Sequence, residues 1–369
     1  MDKTMTNLAQ LNHDIFFASD QRQLLWQPRL EYWYEVNQRR GTLPARFQNA
    51  SLMDIYDYCH ASVRYFTFPL KLSYRNVEIR ETWVAPTHLR REWHLPGGML
   101  SEEIHYDEWR YSSYFHEYLL KTPADFALYE KLLLDESWEW DQAAYESALQ
   151  QAGQRGAPQF YFRRSPFQHL AISVMGYERS IFLLHDHPEV YSRYVEVNTH
   201  ADHAMYAQLC RCPVKILNFG ENIDANLVSP TIWRKHLLPY YARRVDELHQ
   251  AGKKVYIHID GAMRPLINLI RESPFDAIEA CTPLPQGDVT LAEIKQAVGN
   301  RVLLDGIPAV YFLSHYSWET LAACVHDLIN LFQPHLILGV SDELPPDADI
   351  ERVRQVGELV EKFNRERKL

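Results

Sequence analysis

From about residue 160 to the C-terminus, short apolar runs alternate with stretches long enough for helices, and this alternation constrains the fold more than any other feature of the chain. The runs are Gln168–Val174, Val214–Phe219, Lys254–Ile259, Ala277–Ala280, Arg301–Leu304 and Leu336–Val340. Continuous apolar runs separated by helices read as parallel strands buried on both faces, because the crossover helices cover the sheet. Leu291–Val298 and Trp318–Phe332 are helix-length. The clearest helix start is Ser229 as N-cap with Pro230 at the first helical position; the run stops at Gly252, well suited to a left-handed C-cap. The expected class is α/β, a (β/α)8 TIM-type barrel, and 369 residues fit a single domain of this kind, 1–369.

Residues 1–159 have another character and form the expected N-terminal region and lid elements ahead of the regular half, 160–369. They read as irregular and aromatic-rich, with Trp83, Trp93, Trp109, Tyr111, Tyr114 and Phe115 set among polar residues and a break at Pro96-Gly97-Gly98. These rings suit either plain core or a lid over an aromatic substrate. Residues 124–151 read as helical after Pro123.

A formal net charge of −10 argues against a phosphate-backbone binder, which needs a basic face. Five cysteines without a paired pattern fit a reducing compartment better than a disulfide framework. No signal-like N-terminus and no apolar run of membrane-spanning length stands out, so a cytoplasmic location with no membrane partner is expected.

Each apolar run in the second half ends in polar groups: Glu221, Asn222 and Asp224; His258 and Asp260; Glu279; Asp305; and Ser341, Asp342 and Glu343. Barrels and open α/β sheets bind ligands at the carboxyl ends of their strands, where such residues converge. Some of these groups would equally serve as caps for following helices, Asp224 and Asp342 among them. His258 and Asp260 fall on one face of an extended segment. With Glu279 and Asp342 they could supply ligands to one divalent cation, and imidazole with carboxylates suits Zn, Mn or Fe(II). Cys281 reads as a small core thiol, Asp305 as either site or cap, and His60, His88, His169 and His249 as surface or core histidines.

The stretch Lys215 to Phe363 resembles the uroporphyrinogen decarboxylase superfamily, and its zinc- and corrinoid-linked methyltransferase branch more than the decarboxylase itself. The motifs are Asn218-Phe219-Gly220-Glu221-Asn222-Ile223-Asp224, His258-Ile259-Asp260-Gly261, Glu279-Ala280-Cys281-Thr282-Pro283 with Gln286-Gly287-Asp288-Val289, and Gly339-Val340-Ser341-Asp342-Glu343-Leu344-Pro345-Pro346. In those methyltransferases a His-x-Cys pair and a later Cys bind zinc, and cobalamin-independent relatives add a Glu. The resemblance sets His258 at the His, Asp260 at the first Cys, Glu279 at the Glu and Asp342 near the last Cys. Two thiolate positions are thus carboxylates, which leave a harder Lewis acid suited to oxygen. Arg29 matches one arginine of the decarboxylase, whose second arginine and substrate aspartate have no counterpart here.

The resemblance implies a metal-dependent methyltransferase. The metal, zinc or another divalent ion, would be held by His258, Asp260, Glu279 and Asp342. Glu221, Asn222, Asp224 and Glu279 would orient substrate or move a proton. Methyl would pass, by O-demethylation or a like reaction, from a small methylated compound to cobalamin carried by a separate corrinoid protein. A homodimer is compatible with the sequence. The alternatives are a metal-dependent decarboxylase or lyase acting on a small acid, and a barrel that binds without catalysis.

Overall fold

The computed structural model describes residues 7–18, 22–65 and 67–367. The chain forms two units, each discontinuous in sequence: one takes its described residues from Met1–Phe68, Ala143–Phe162 and Val214–Leu369, the other from Pro69–Gln142 and Arg163–Pro213. The units do not divide at the change of character near residue 160. Residues 143–162 go with the first unit and 163–213 with the second.

Among the described residues of the first unit, seven strands pair in parallel. Their order in the sheet is Leu25–Trp26, Leu336–Ser341, Val302–Pro308, Ala277–Glu279, Lys254–Ile259, Ile216–Ile223 and Tyr161–Phe162. Residues 62–65 link the two outer strands: the Ser62 N–H donates to the Trp26 carbonyl at 2.8 Å, and Tyr65 forms a parallel bridge with Gln159. With this segment as an eighth position, the strands follow chain order around a ring. The class is the expected TIM-barrel type.

The strands read from sequence in the second half fall where the structure has them, apart from Gln168–Val174. That run is helical, a turn at Pro166–His169 followed by a widened π turn at Leu170–Val174. A short buried apolar run has no period that separates strand from helix. The decisive local signal is Ser165-Pro166, since proline is preorganised for the first helical position. The Ser229 cap is present, its side chain accepting from the Ile232 N–H, and Gly252 takes φ +72° after the helix Leu238–Gln250.

Helix Leu8–Phe17 supplies Leu11 and Ile15 to a buried cluster with Leu25, Ile216, Tyr256, Ala277, Val302, Leu304 and Ile337. Most of these are early residues of their strands, so the helix plugs the N-terminal end of the barrel. Truncating Leu11 to Ala would cost about 2–5 kcal/mol. The carboxyl ends of the strands are left for polar groups.

The second unit is regular where irregularity was expected. Strands Glu78–Ala85, His88–Leu95, Gly98–Tyr106 and Ser113–Glu117 form an antiparallel sheet in chain order. The alternation of aromatic with polar residues there is the period-two signal of strands, and Leu89, Trp93, Leu95, Leu100 and Ile104 form the buried face of the two middle ones. The stretch 124–151 is likewise not one helix. It contains helix Phe126–Leu134, strand Glu136–Trp140 paired with Leu70–Tyr74, and the start of helix Gln142–Ala152.

Candidate active site

His258 is the penultimate residue of its strand and the register partner of Glu279 on the next one. The register sets the two side chains next to each other, with the imidazole Nδ1 2.9 Å from Glu279 Oε2. The other nitrogen, Nε2, is buried with no hydrogen-bond partner. It faces Asp260 Oδ2 at 3.8 Å and Asp342 Oδ2 at 3.9 Å. Burial alone would lower the His258 pKa; the carboxylates of Asp342, Asp260 and Glu279 outweigh it and raise the imidazole well above its ordinary value.

Glu279 lies behind the imidazole, not beside the two aspartates as a fourth ligand. It is fully buried, and its carboxylate accepts four hydrogen bonds. Oε1 takes Arg64 Nη1 and the Tyr65 hydroxyl, both at 2.5 Å, while Oε2 takes His258 Nδ1 at 2.9 Å and Asn218 Nδ2 at 2.8 Å. Those four donors use the lone-pair sites of a carboxylate. Burial would raise its pKa, but His258, Arg64 and Arg29 together hold it well below the usual carboxylate range.

Arg64 is the hub of this layer. Buried at 1% exposure, it makes five hydrogen bonds. Nε donates to Gln27 Oε1 at 3.0 Å, Nη1 to Glu279 at 2.5 Å and Asp305 Oδ2 at 3.1 Å, and Nη2 to Asp305 Oδ1 at 2.7 Å and the Gln27 carbonyl at 3.3 Å. A guanidinium carries five N–H groups, so all are used. Asp305, open between site and cap in the sequence, is a fully buried member of this network, held at φ +77°. Ser341 accepts the Gly306 N–H at 2.9 Å, and burial pushes the Cys281 thiol up to about 12.

Arg29 closes the other side. It donates through Nη1 to Asp342 Oδ1 and through Nη2 to Glu343 Oε1 at 2.7 Å, and lies 5.3 Å from the centre of the Tyr65 ring. One Asp342 oxygen is thereby anchored and the other turned toward His258.

The remaining expected residues lie elsewhere. Glu221 is buried and accepts from the Tyr241 hydroxyl at 2.6 Å, Tyr241 belonging to helix Leu238–Gln250. Asn222 is exposed, with φ +53°. Asp224 accepts the Asn226 N–H at 2.8 Å and packs so closely on Gly261 that a Cβ there would meet its Oδ2 at 2.6 Å. Asp224 thus borders the turn that carries Asp260. Gln27, Arg64, Tyr65 and Asn218 carry no sequence signal of these roles. Arg64 meets Glu279 across 215 positions, from a segment too short to carry a strand signal.

The donor set suits one divalent ion. Two ligand atoms bound at about 2.1 Å to the same ion lie no more than about 4.2 Å apart. The orphaned Nε2 meets that limit with both aspartates, and the three ligand atoms all lie within 4.8 Å of one another.

A barrel with an imidazole and two carboxylates at its strand ends defines a class of TIM-type proteins with a polar site at the carboxyl mouth. The family follows from sequence: the uroporphyrinogen decarboxylase (URO-D) family model matches residues 97–363, and the chain belongs to that family. No curated protein matches the chain. Among solved structures, a methyltransferase from Methanosarcina mazei shares the fold, with a TM-score of 0.59 over 96% of this chain and 98% of that one at 10% identity. A D-psicose 3-epimerase from Clostridium cellulolyticum H10 aligns with a TM-score of 0.37 at 8% identity, over 66% of this chain and 86% of that one. Among the described residues, no helix is long and apolar enough to cross a membrane.

Proposed function

We propose that this chain is a metal-dependent methyltransferase that demethylates a small methoxylated or methylated compound and passes the methyl group to cobalamin on a separate corrinoid protein. The observation that carries the metal assignment is the buried, unpartnered His258 Nε2 facing Asp260 and Asp342. These three residues would hold one divalent ion, zinc or another. When bound, it supplies a Lewis acid that polarises an oxygen of the substrate, which a set with two carboxylates and no thiolate favours. The fold shared with the Methanosarcina methyltransferase supports the transferase reading.

The protein's own residues fix the geometry. Glu279 accepts a hydrogen bond from His258 Nδ1, which orients the imidazole and leaves Nε2 as the nitrogen facing the aspartates. Glu279 is therefore assigned as a positioning residue and not as a ligand. Arg64, Tyr65 and Asn218 keep it ionised and in place. Arg29 holds Asp342 in place. Of the other expected catalytic residues, Asp224, which borders the Asp260 turn, would orient substrate, whereas Glu221 is engaged by Tyr241.

Zinc affinity, measured by competition with a chromophoric chelator, tests the metal assignment. Wild type should bind one ion more than His258→Ala, whose unfolding transition in chelator stays cooperative. A folded His258→Ala protein that binds as many ions as wild type, with the same affinities, overturns it.

A further inference from the structure

The antiparallel sheet of the second unit carries a set of side chains that the barrel site does not use. His88 and His105 are register partners on adjacent strands. Directly opposed residues share one face, and so do residues two apart on one strand, which brings Glu103 beside His105. The His88 and His105 rings stack with centroids 3.6 Å apart and planes 4° from parallel, and His116 stacks on His105 at 4.3 Å and 7°. Glu103 Oε1 lies 2.6 Å from His105 Nε2, and the Tyr114 hydroxyl lies 3.3 Å from His105 Nδ1. One ligand atom from each of His88, Glu103 and His105 falls within 4.8 Å of the others.

We propose that His88, Glu103 and His105 form a second divalent transition-metal site, with His116 as a further donor. Two imidazoles and a carboxylate are the donor set of three-ligand zinc sites that keep a position open. Nickel and copper accept the same donors. The alternative, a solvated polar face, gives no reason for ligand atoms of His88, Glu103 and His105 to gather within 4.8 Å of one another. Arg90 stands opposite Glu103 in the sheet, but its Nε is turned to Glu92 at 3.0 Å, so the Glu103 carboxylate is not tied to that cation.

Binding requires the stacked rings of His88 and His105 to tilt until both lone pairs point at one ion. His105 Nε2 gives its lone pair to the ion, its proton passes to Nδ1, and the Tyr114 oxygen accepts that N–H. No net proton is lost from a neutral imidazole. The ion joins strand His88–Leu95 to strand Gly98–Tyr106, and His116 adds strand Ser113–Glu117, most of whose residues are exposed and contribute little apolar burial. A ligand held by the folded form alone stabilises it.

The test uses the full chain carrying His258→Ala, which disables the barrel site. Zinc and nickel are titrated separately by calorimetry, with His105→Asn, His88→Asn or His60→Asn added. One equivalent should bind, His105→Asn and His88→Asn should each weaken it at least about tenfold, and His60→Asn, whose Nδ1 pairs with Glu361 at 2.9 Å, should leave it unchanged. Imidazole 15N resonances, followed in the same His258→Ala chain without further change, should move for His88 and His105 on adding zinc. Equal affinity in all four proteins, or zinc binding with those resonances unmoved, overturns the proposal. If one asparagine variant fails to fold, the other and the imidazole spectrum still decide.

Discussion

Replacing Glu279 by Gln removes one charge and almost no volume, yet the geometry makes it a severe change. Two donors meet Oε1 and two meet Oε2. A glutamine amide accepts through its oxygen only, so either orientation sets an NH2 group against two donors. Breaking a buried ion pair from one side costs about 3–5 kcal/mol. Arg64 keeps Asp305 as a partner, which points to the lower end, about 3 kcal/mol. His258 also loses the anion that orients it, and losses of this kind lower metal affinity by about 10–100-fold. The sign with pH follows from the depressed Glu279 pKa. Its stabilisation is fully present above the unfolded carboxylate value of about 4.3 and is lost as pH falls through the lower folded value. The assay is urea unfolding of chelated protein at several pH values, with zinc competition in the native baseline. A loss below about 1 kcal/mol, or unchanged zinc affinity in a folded Glu279→Gln protein, refutes the reasoning.

Three further outcomes follow from the same structure. Asp260→Cys should retain zinc, because a thiolate is a competent ligand, and Asp260→Ala should weaken binding; equal affinities in Asp260→Ala and wild type would remove Asp260 from the metal site. Because His258 titrates above its ordinary value, zinc must displace a proton, so affinity should rise with pH up to that raised value and calorimetry in two buffers should show proton release. In the metal-free protein the His258 contribution has the matching sign: present below about pH 6.5, lost as pH rises through the raised folded value. In the second unit, burial pushes Glu102 up to about 7, only partly offset by Arg91, so the ionised form destabilises the fold; stability from this group falls as pH rises from about 4.3 toward 7, and Glu102→Gln should remove a fall of about 3 kcal/mol over that range. A slope unchanged in Glu102→Gln would refute that assignment.

Much of the barrel was legible in the sequence because its long strands are buried on both faces. Lys254–Ile259 and Leu336–Ser341 read as largely apolar runs for that reason. Leu25–Trp26, residues 62–65 and Tyr161–Phe162 were not legible, since two to four residues carry no period. The same division runs through the candidate site. His258, Asp260 and Asp342 announce themselves at the ends of legible strands. Arg64, Tyr65 and Gln27 sit on or near the illegible ones, and their roles appear only when the ring closes. Glu279 was found but misplaced: strand register decides whether a carboxylate faces Nε2 or Nδ1 of a neighbouring imidazole, and register is not written in spacing.

The most direct measurement for the account as a whole is methyl transfer to a reduced corrinoid protein, followed by the corrinoid absorbance change across a panel of O-, N- and S-methyl donors. Transfer from an O-methyl donor by the zinc-loaded wild type is expected, dependent on the corrinoid and lost in a folded His258→Ala protein. Transfer undiminished in His258→Ala, or carbon dioxide released from a small acid with no corrinoid and no methyl transfer from any donor, would contradict it.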